Sequence, residues 1–184
     1  MTAIRARLAH MGIFVRDRET MVQFYTEVLG LMVTDQGEAA AGGVSSGVHL
    51  TFMSADPGEH HQVVLVTGRP EESGFNPINQ VSFLVESLAQ LREVHRRALD
   101  RGATAMRTVS HGNAWSIYFL DPEGNRLEAY LHTPFYVPQP FGEPLDLGKS
   151  DDEILHATEA ACAKDPGFMP RAAFAAKVAA RLAG

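Results

Sequence analysis

Residues Leu8–Val15 read LAHMGIFV and residues Ile78–Val85 read INQVSFLV, and the chain follows the same plan after each stretch. Both stretches are dominated by apolar, β-branched and aromatic residues and end at a valine, which is strand composition. After the first, Asp17 can cap a helix whose apolar stripe is Met21, Phe24, Tyr25, Val28 and Leu29, closed by Gly30. After the second, Ser87 precedes Leu88, Leu91, Val94, Ala98 and Leu99, closed by Gly102. A capping residue, helical spacing and a terminal glycine specify an amphipathic helix in each copy. Strands are expected over Leu31–Thr34, Val48–Ser54 and Gln62–Val66, and again over Thr104–Val109, Ala114–Leu120 and Arg126–Leu131. The run Asp121-Pro122-Glu123-Gly124-Asn125 supplies a tight turn between the last two.

The expected fold is therefore α+β: two βαβββ modules, about residues 8–67 and 77–132, joined by the linker Gly68–Asn76. One module alone has an open sheet edge and an uncovered apolar face. Two modules packed side by side around a shared cleft cover both. The tail is different in kind. Thr133–Pro140 holds three prolines and is expected to be extended and irregular. Ser150-Asp-Asp-Glu153 is a capping-box pattern opening a helix to about Ala163, and an alanine-rich helix runs from Pro170 to about Leu182. The expected organisation is a domain over residues 1–135, with residues 136–184 contributing a Pro-rich segment and C-terminal helices that pack on it. The tail sequence shows no reactive pattern.

Composition removes several function classes. A net charge of −6 argues against nucleic-acid binding, which wants a basic patch. The single cysteine, Cys162, cannot form an internal disulfide and reads as a packed helix residue. No stretch approaches the roughly 20 apolar residues of a membrane span, and MTAIRARLAH lacks the apolar run of a signal peptide. The expected location is cytoplasmic. Phosphate-loop, nucleophile-elbow and paired-cysteine patterns are all missing from the sequence.

His10 and Gln80 hold the same place in the two copies, each third in its strand stretch, and Glu128 follows the turn on the last strand. Singly, a strand histidine is usually a hydrogen-bonded core residue, and a glutamate after a turn is usually solvated. Repeat symmetry sets these residues apart. If the modules curl into one cleft, an imidazole, an amide oxygen and a carboxylate can hold a divalent metal and leave positions open for substrate. His60-His61 comes next. Strand alternation would put His61, Val63 and Leu65 on one face and His60, Gln62, Val64 and Val66 on the other, without deciding which faces the cleft. A histidine beside a metal-bound substrate is a natural proton carrier; a surface position next to Asp56 and Glu59 is the competing reading. In Ser110–Tyr118, alternation groups Asn113, Trp115 and Ile117 against Ala114, Ser116 and Tyr118, with His111 on the loop side. Trp115 and Tyr118 equally suit a core or an interface.

The repeat, the LAHMGIFVRD opening with MVQFYTEVLGL behind it, and HGNAWSIYFLDPEGNRLEAY together resemble the vicinal-oxygen-chelate superfamily over about residues 8–135. That superfamily includes glyoxalase I, fosfomycin- and bleomycin-resistance proteins and type I extradiol catechol dioxygenases. The likeness is strongest to single-domain extradiol enzymes, through His60-His61, His111 with Asn113, Tyr118 ahead of Glu128, and the TPFYVPQP stretch. The resemblance implies a ring-cleaving dioxygenase acting on a small catecholic aromatic with O2. It implies Fe(2+), with Mn, Zn or Ni as alternatives, held by His10 and Glu128. His61 would handle the catechol proton, His111 and Tyr118 would hydrogen-bond the bound substrate, and Asn113 would line its pocket. Where the extradiol branch has a second histidine ligand, this chain has Gln80, as glyoxalase-like members do, and a neutral amide holds late first-row metals less tightly than imidazole. A metal-dependent lyase or isomerase and a metal-poor binding protein therefore stand beside the dioxygenase reading. The expected partners are the small molecules alone, without nucleic acid or membrane, in a homo-oligomer, a dimer or larger.

Overall fold

A parallel pairing between first and last strand defines each half of the chain. The structure, a computed structural model, describes residues 4–41, 44–72 and 74–183. The sequence reading of the extreme N-terminus therefore falls partly outside the described residues, as does Ser73 of the expected linker. The first half runs β1 (Met11–Val15), α1 (Arg18–Leu29), β2 (Met32–Ala41), β3 (Val44–Ser54) and β4 (Val63–Thr67). Its sheet has the order β1-β4-β3-β2, with β1 parallel to β4 and the other pairs antiparallel. The second half runs β5 (Val81–Leu84), α2 (Leu88–Asp100), β6 (Thr104–Ser110), β7 (Ala114–Leu120) and β8 (Arg126–His132). Its strands repeat the arrangement as β5-β8-β7-β6, with β5 parallel to β8. The sequence repeat is thus a repeat of topology, and the fold is α+β with a βαβββ plan used twice.

The chain divides into two compact units, one holding the residues up to Ile78 together with Asp121–Gly124, the other Asn79–Leu120 and Asn125 onward. Within the first, Asp17 caps α1 by accepting from Thr20 N at 3.0 Å, and Gly30 closes it in the left-handed region at φ 74°. Helix α1 buries Met21, Phe24, Tyr25 and Val28 over a sheet face that contributes Val15, Met53, Val63 and Leu65. Four such side chains at about 1.5–3 kcal/mol each outweigh a cap contributing about 1 kcal/mol, so packing decides where the helix lies and the cap decides where it starts. The turn residue Glu123 belongs to this unit. Its Oε1 accepts from Arg16 N at 2.7 Å and Asp17 N at 2.9 Å, and its Oε2 pairs with Arg69 at 3.2 Å.

Within the second unit, α2 starts at Ser87, whose Oγ accepts from Gln90 N at 3.1 Å, and buries Leu88, Leu91, Val94 and Ala98. The sheet offers the buried residues Ile117, Phe119, Leu127 and Ala129. By strand alternation, the opposite face carries Tyr118 from β7, Ser82 from β5, and Glu128, Tyr130 and His132 from β8. The tail completes this unit with β9 (Phe135–Tyr136), β10 (Glu143–Pro144), α3 (Asp151–Cys162), β11 (Met169–Pro170) and α4 (Arg171–Ala183). β10 extends the sheet beyond β6, and β9 pairs with β11. The capping box at Ser150 and Glu153 forms as the sequence predicts. Helix α3 buries Ile154, Thr158 and Cys162, and Thr158 Oγ1 accepts from the buried Trp115 Nε1 at 2.8 Å. No helix among the described residues is long and apolar enough to cross a membrane.

Three local expectations change. The opening strands begin at Met11 and Val81, so His10 and Gln80 each stand one residue ahead of a strand rather than inside it. Strands β2 and β3 are much longer than expected. Their Gly-, Ser- and Ala-rich facing segments carry no apolar alternation to read, yet ladder hydrogen bonds need only the backbone. The Thr133–Pro140 segment, expected to be wholly irregular, contains β9.

Candidate functional site

Glu128 is the centre of the polar cluster in the second unit. On β8 it lies directly opposite Tyr118 in β7 and Ser82 in β5. Only 7% of it is exposed, and its Oε2 accepts from Ser82 Oγ at 2.5 Å and Gln80 Nε2 at 2.8 Å. These donors are neutral, and none of the ion pairs among the described residues includes Glu128. A buried carboxylate without a compensating cation is costly. The position therefore suits a cation, and the amide and carboxylate oxygens of Gln80 and Glu128 are donors that a divalent metal accepts. Within neither unit do three His, Cys, Asp or Glu side chains gather as a metal cage among the described residues.

Tyr118 stands beside this carboxylate. Burial, and then the neighbouring Glu128, push its phenol up to about 12, so at neutral pH it keeps its proton. The hydroxyl lies 2.8 Å from His111 Nε2, while His111 Nδ1 lies 2.9 Å from the Phe141 carbonyl oxygen. A carbonyl only accepts, which assigns the proton to Nδ1 and leaves Nε2 to accept from Tyr118. Tyr118 thus donates to His111, and His111 donates to the Phe141 carbonyl. The Arg107 guanidinium sits over the Tyr118 ring, 5.2 Å from its centroid.

The turn that presents His111 is held from the tail. Gly112 adopts φ +72°, and a Cβ there would collide with Val137 Cγ1 and come within 2.8 Å of Cys162 Sγ. Only glycine allows that approach. Gln139 Nε2 donates to the His111 carbonyl at 2.8 Å. The tail, where the sequence showed no chemistry, therefore orients one of the candidate residues.

The first unit contributes two other candidates. The His10 and His61 rings are 4.2 Å apart between centroids, and His61 also meets the Phe52 ring edge-on at 5.1 Å. Burial, followed by the positive charges that His10 and His60 would carry, lowers the His61 pKa, so the ring favours its neutral form. His60 Nδ1 and His61 Nδ1 are 2.9 Å apart, so one ring donates and the other accepts. The expected division of this pair between opposite strand faces does not hold. Strand β4 begins only at Val63, the pair sits in the bend before it, and both rings reach Phe52.

Gln80, Ser82 and Glu128 thus form one hydrogen-bonded group in the second unit, with the Tyr118–His111 pair beside it, and the His10 and His61 rings pair in the first. Asn113 precedes β7, outside the alternating run in which the sequence reading placed it; its backbone N–H donates to the His111 carbonyl at 2.8 Å, and it lines a cavity with His132. Trp115 is core, 5% exposed and bonded to α3. Sequence reading missed Ser82 and the Phe141 carbonyl. Ser82, a polar residue two places after Gln80 in an apolar strand, was legible in principle; a backbone acceptor leaves no sequence signal.

Comparison with known proteins agrees with this architecture. Biphenyl-2,3-diol 1,2-dioxygenase 3 of Rhodococcus globerulus is 28% identical over 141 residues, covering 74% of this chain and 68% of that protein. The glyoxylase/bleomycin resistance protein/dioxygenase domain from Frankia sp. EAN1pec superposes with a TM-score of 0.57 at 24% identity, covering 71% of this chain and 100% of that one. The fosfomycin resistance protein FosX from Listeria monocytogenes, solved with Mn(II) and sulfate, covers 71% and 95% at a TM-score of 0.51 and 17% identity. The model of the Glyoxalase/Bleomycin resistance protein/Dioxygenase superfamily matches residues 7–129, a span that takes in the first βαβββ copy and the second as far as the middle of β8, just past Glu128. With the duplicated topology and the matched span in agreement, the chain belongs to that superfamily.

Proposed function

We propose that the protein is a metal-dependent extradiol-type dioxygenase that opens the ring of a small catecholic aromatic. The observation that carries this reading is the buried Glu128 carboxylate, held by neutral donors next to a protonated phenol and an oriented histidine. In this reading His10, Gln80 and Glu128 hold one divalent metal, Fe(2+) first among the alternatives. When bound, the metal would supply Lewis acidity toward the diol oxygens and redox capacity toward O2. Both atoms of O2 enter the product, so no external reductant is needed.

The residues of this chain supply binding and proton handling. His61, neutral at working pH, accepts a proton from a catechol hydroxyl at an imidazole nitrogen and can return it to the product. Tyr118 keeps its proton far above neutral pH and directs it to His111, so its oxygen meets a substrate hydroxyl as an acceptor. His111 holds that hydroxyl in place, its own tautomer set by Phe141. The similarity to the Rhodococcus biphenyl-diol enzyme supports the aromatic substrate class.

A second reading, a glyoxalase-like lyase or isomerase, is favoured by the amide at Gln80 where an imidazole would bind iron more tightly. The test is the metal content of protein purified without added metal, followed by O2 consumption with Fe(II) and simple catechols. Near-stoichiometric iron with O2 uptake and a yellow ring-fission product is expected. Another metal without uptake would move the assignment to the second reading, and protein that holds no metal would leave a small-molecule binder.

A further inference from the structure

The second unit contains a cavity of about 450 Å³ bounded by α4, β9 and the end of β8. Helical spacing aligns Arg171, Phe174, Ala175, Val178, Ala179 and Leu182 on one stripe of α4, and all six line this space. The stripe is poorly covered by the protein itself: Val178 is 37% and Leu182 56% exposed. Phe174 is anchored by stacking on Tyr136, with ring centroids 3.8 Å apart and planes within 8°. One end of the cavity is polar. Arg171, His132 and Asn113 line it, and Arg171 joins no ion pair among the described residues. Burial and then the Arg171 charge lower the His132 pKa, so the cation faces a neutral ring there. An apolar wall that ends at an uncompensated guanidinium beside a neutral imidazole is complementary to a ligand with an apolar body and one anionic head. A carboxylate matches the guanidinium fork in geometry as well as charge.

The cavity shares a strand with the cluster described above. His132 lies four residues beyond Glu128 on the same face of β8, about 13 Å away at about 3.3 Å per residue, with the Tyr130 ring between them against His132 at 5.3 Å.

We propose that this cavity binds an aryl-alkyl carboxylate, its carboxylate on Arg171 and its apolar body against Phe174 and Val178. This deepens the dioxygenase reading and rests on it in one respect: there the ligand is the acidic side chain of the catecholic substrate. The binding step itself requires neither metal nor turnover.

The test uses the full chain without added metal, titrated calorimetrically with 3-phenylpropionate and with 3-phenylpropan-1-ol, a neutral molecule of the same length. The acid is expected to saturate one site, and the alcohol to bind at least about tenfold more weakly. Arg171→Gln is expected to remove that preference, and Ala175→Trp, which fills the cavity from an exposed helix position, to abolish binding, with circular dichroism unchanged in both. Equal binding of acid and alcohol, or indifference to both substitutions, overturns the proposal. So does a concentration-dependent dimer that Val178→Glu dissociates while no probe binds, because the stripe then belongs to a second copy. Probe binding without O2 uptake from any catechol upholds the cavity and removes the reaction assigned above; O2 uptake without probe binding removes the cavity.

Discussion

Replacing Gly112 with alanine asks whether the turn carrying His111 is held by packing or by its own backbone. Two costs are separable. At φ +72° a Cβ costs about 1–2 kcal/mol in any surroundings. The second cost is steric: the new methyl would collide with Val137 Cγ1 and approach Cys162 Sγ to 2.8 Å, and both side chains are fully buried, so neither can swing into solvent. Forcing a methyl into such a place costs about 1–3 kcal/mol, giving about 2–5 kcal/mol in all. Gly102→Ala is the control, since Gly102 has φ +74° with nothing within 4 Å of its would-be Cβ; it should show the backbone cost alone. Urea unfolding followed by the fluorescence of Trp115, the single tryptophan, reads the affected unit directly. Val137→Ala combined with Gly112→Ala should cost less than the two changes added, by about 1 kcal/mol or more. Unfolding of Gly112→Ala within about 0.5 kcal/mol of Gly102→Ala would refute the packing argument, because that is the limit to which independent effects are resolved.

Other expectations follow from the same contacts. His61→Ala should lose about 10²-fold or more of turnover with metal content unchanged; turnover at the wild-type rate would take His61 out of the mechanism. Gln80→His should tighten Fe(II) binding in a competitive chelator titration, and a dissociation constant indifferent to the change would mean that Gln80 never touches the ion. On α2, Arg96 and then Arg97 hold the Glu93 carboxyl down to about 2. Between about 4.5 and about 2 the unfolded chain therefore binds more protons there than the folded one. The stabilisation from Glu93 is complete above that window and lost as pH falls through it. The urea midpoint should drop more steeply with acidification in wild type than in Glu93→Gln, and parallel profiles would refute the assignment.

The duplicated plan was legible because it rests on patterns side chains impose: alternation in the strands around Ile117 and Leu65, helical spacing around Leu91, and caps at Asp17, Ser87 and Ser150. What escaped the sequence is what the backbone alone decides. The long β2–β3 pairing uses residues with no apolar code, and the bend before β4 removes the alternation that would have sorted His60 from His61. At Glu128, residue type and position were visible but burial was not, because burial depends on Ser82 arriving from a strand remote in sequence as well as on Tyr118 from the neighbouring one. Arg171 and His132 went unnoticed for a similar reason: a helix and a strand 39 positions apart must meet before they bound a cavity.

The carbonyl of Phe141 lies beyond the residues matched by the superfamily model, yet it decides which nitrogen of His111 carries the proton. The duplicated scaffold and the orientation of its His111–Tyr118 pair thus rest on different parts of the sequence. A change that shifts the Phe141 backbone alters how Tyr118 is poised while every residue of the repeat stays in place.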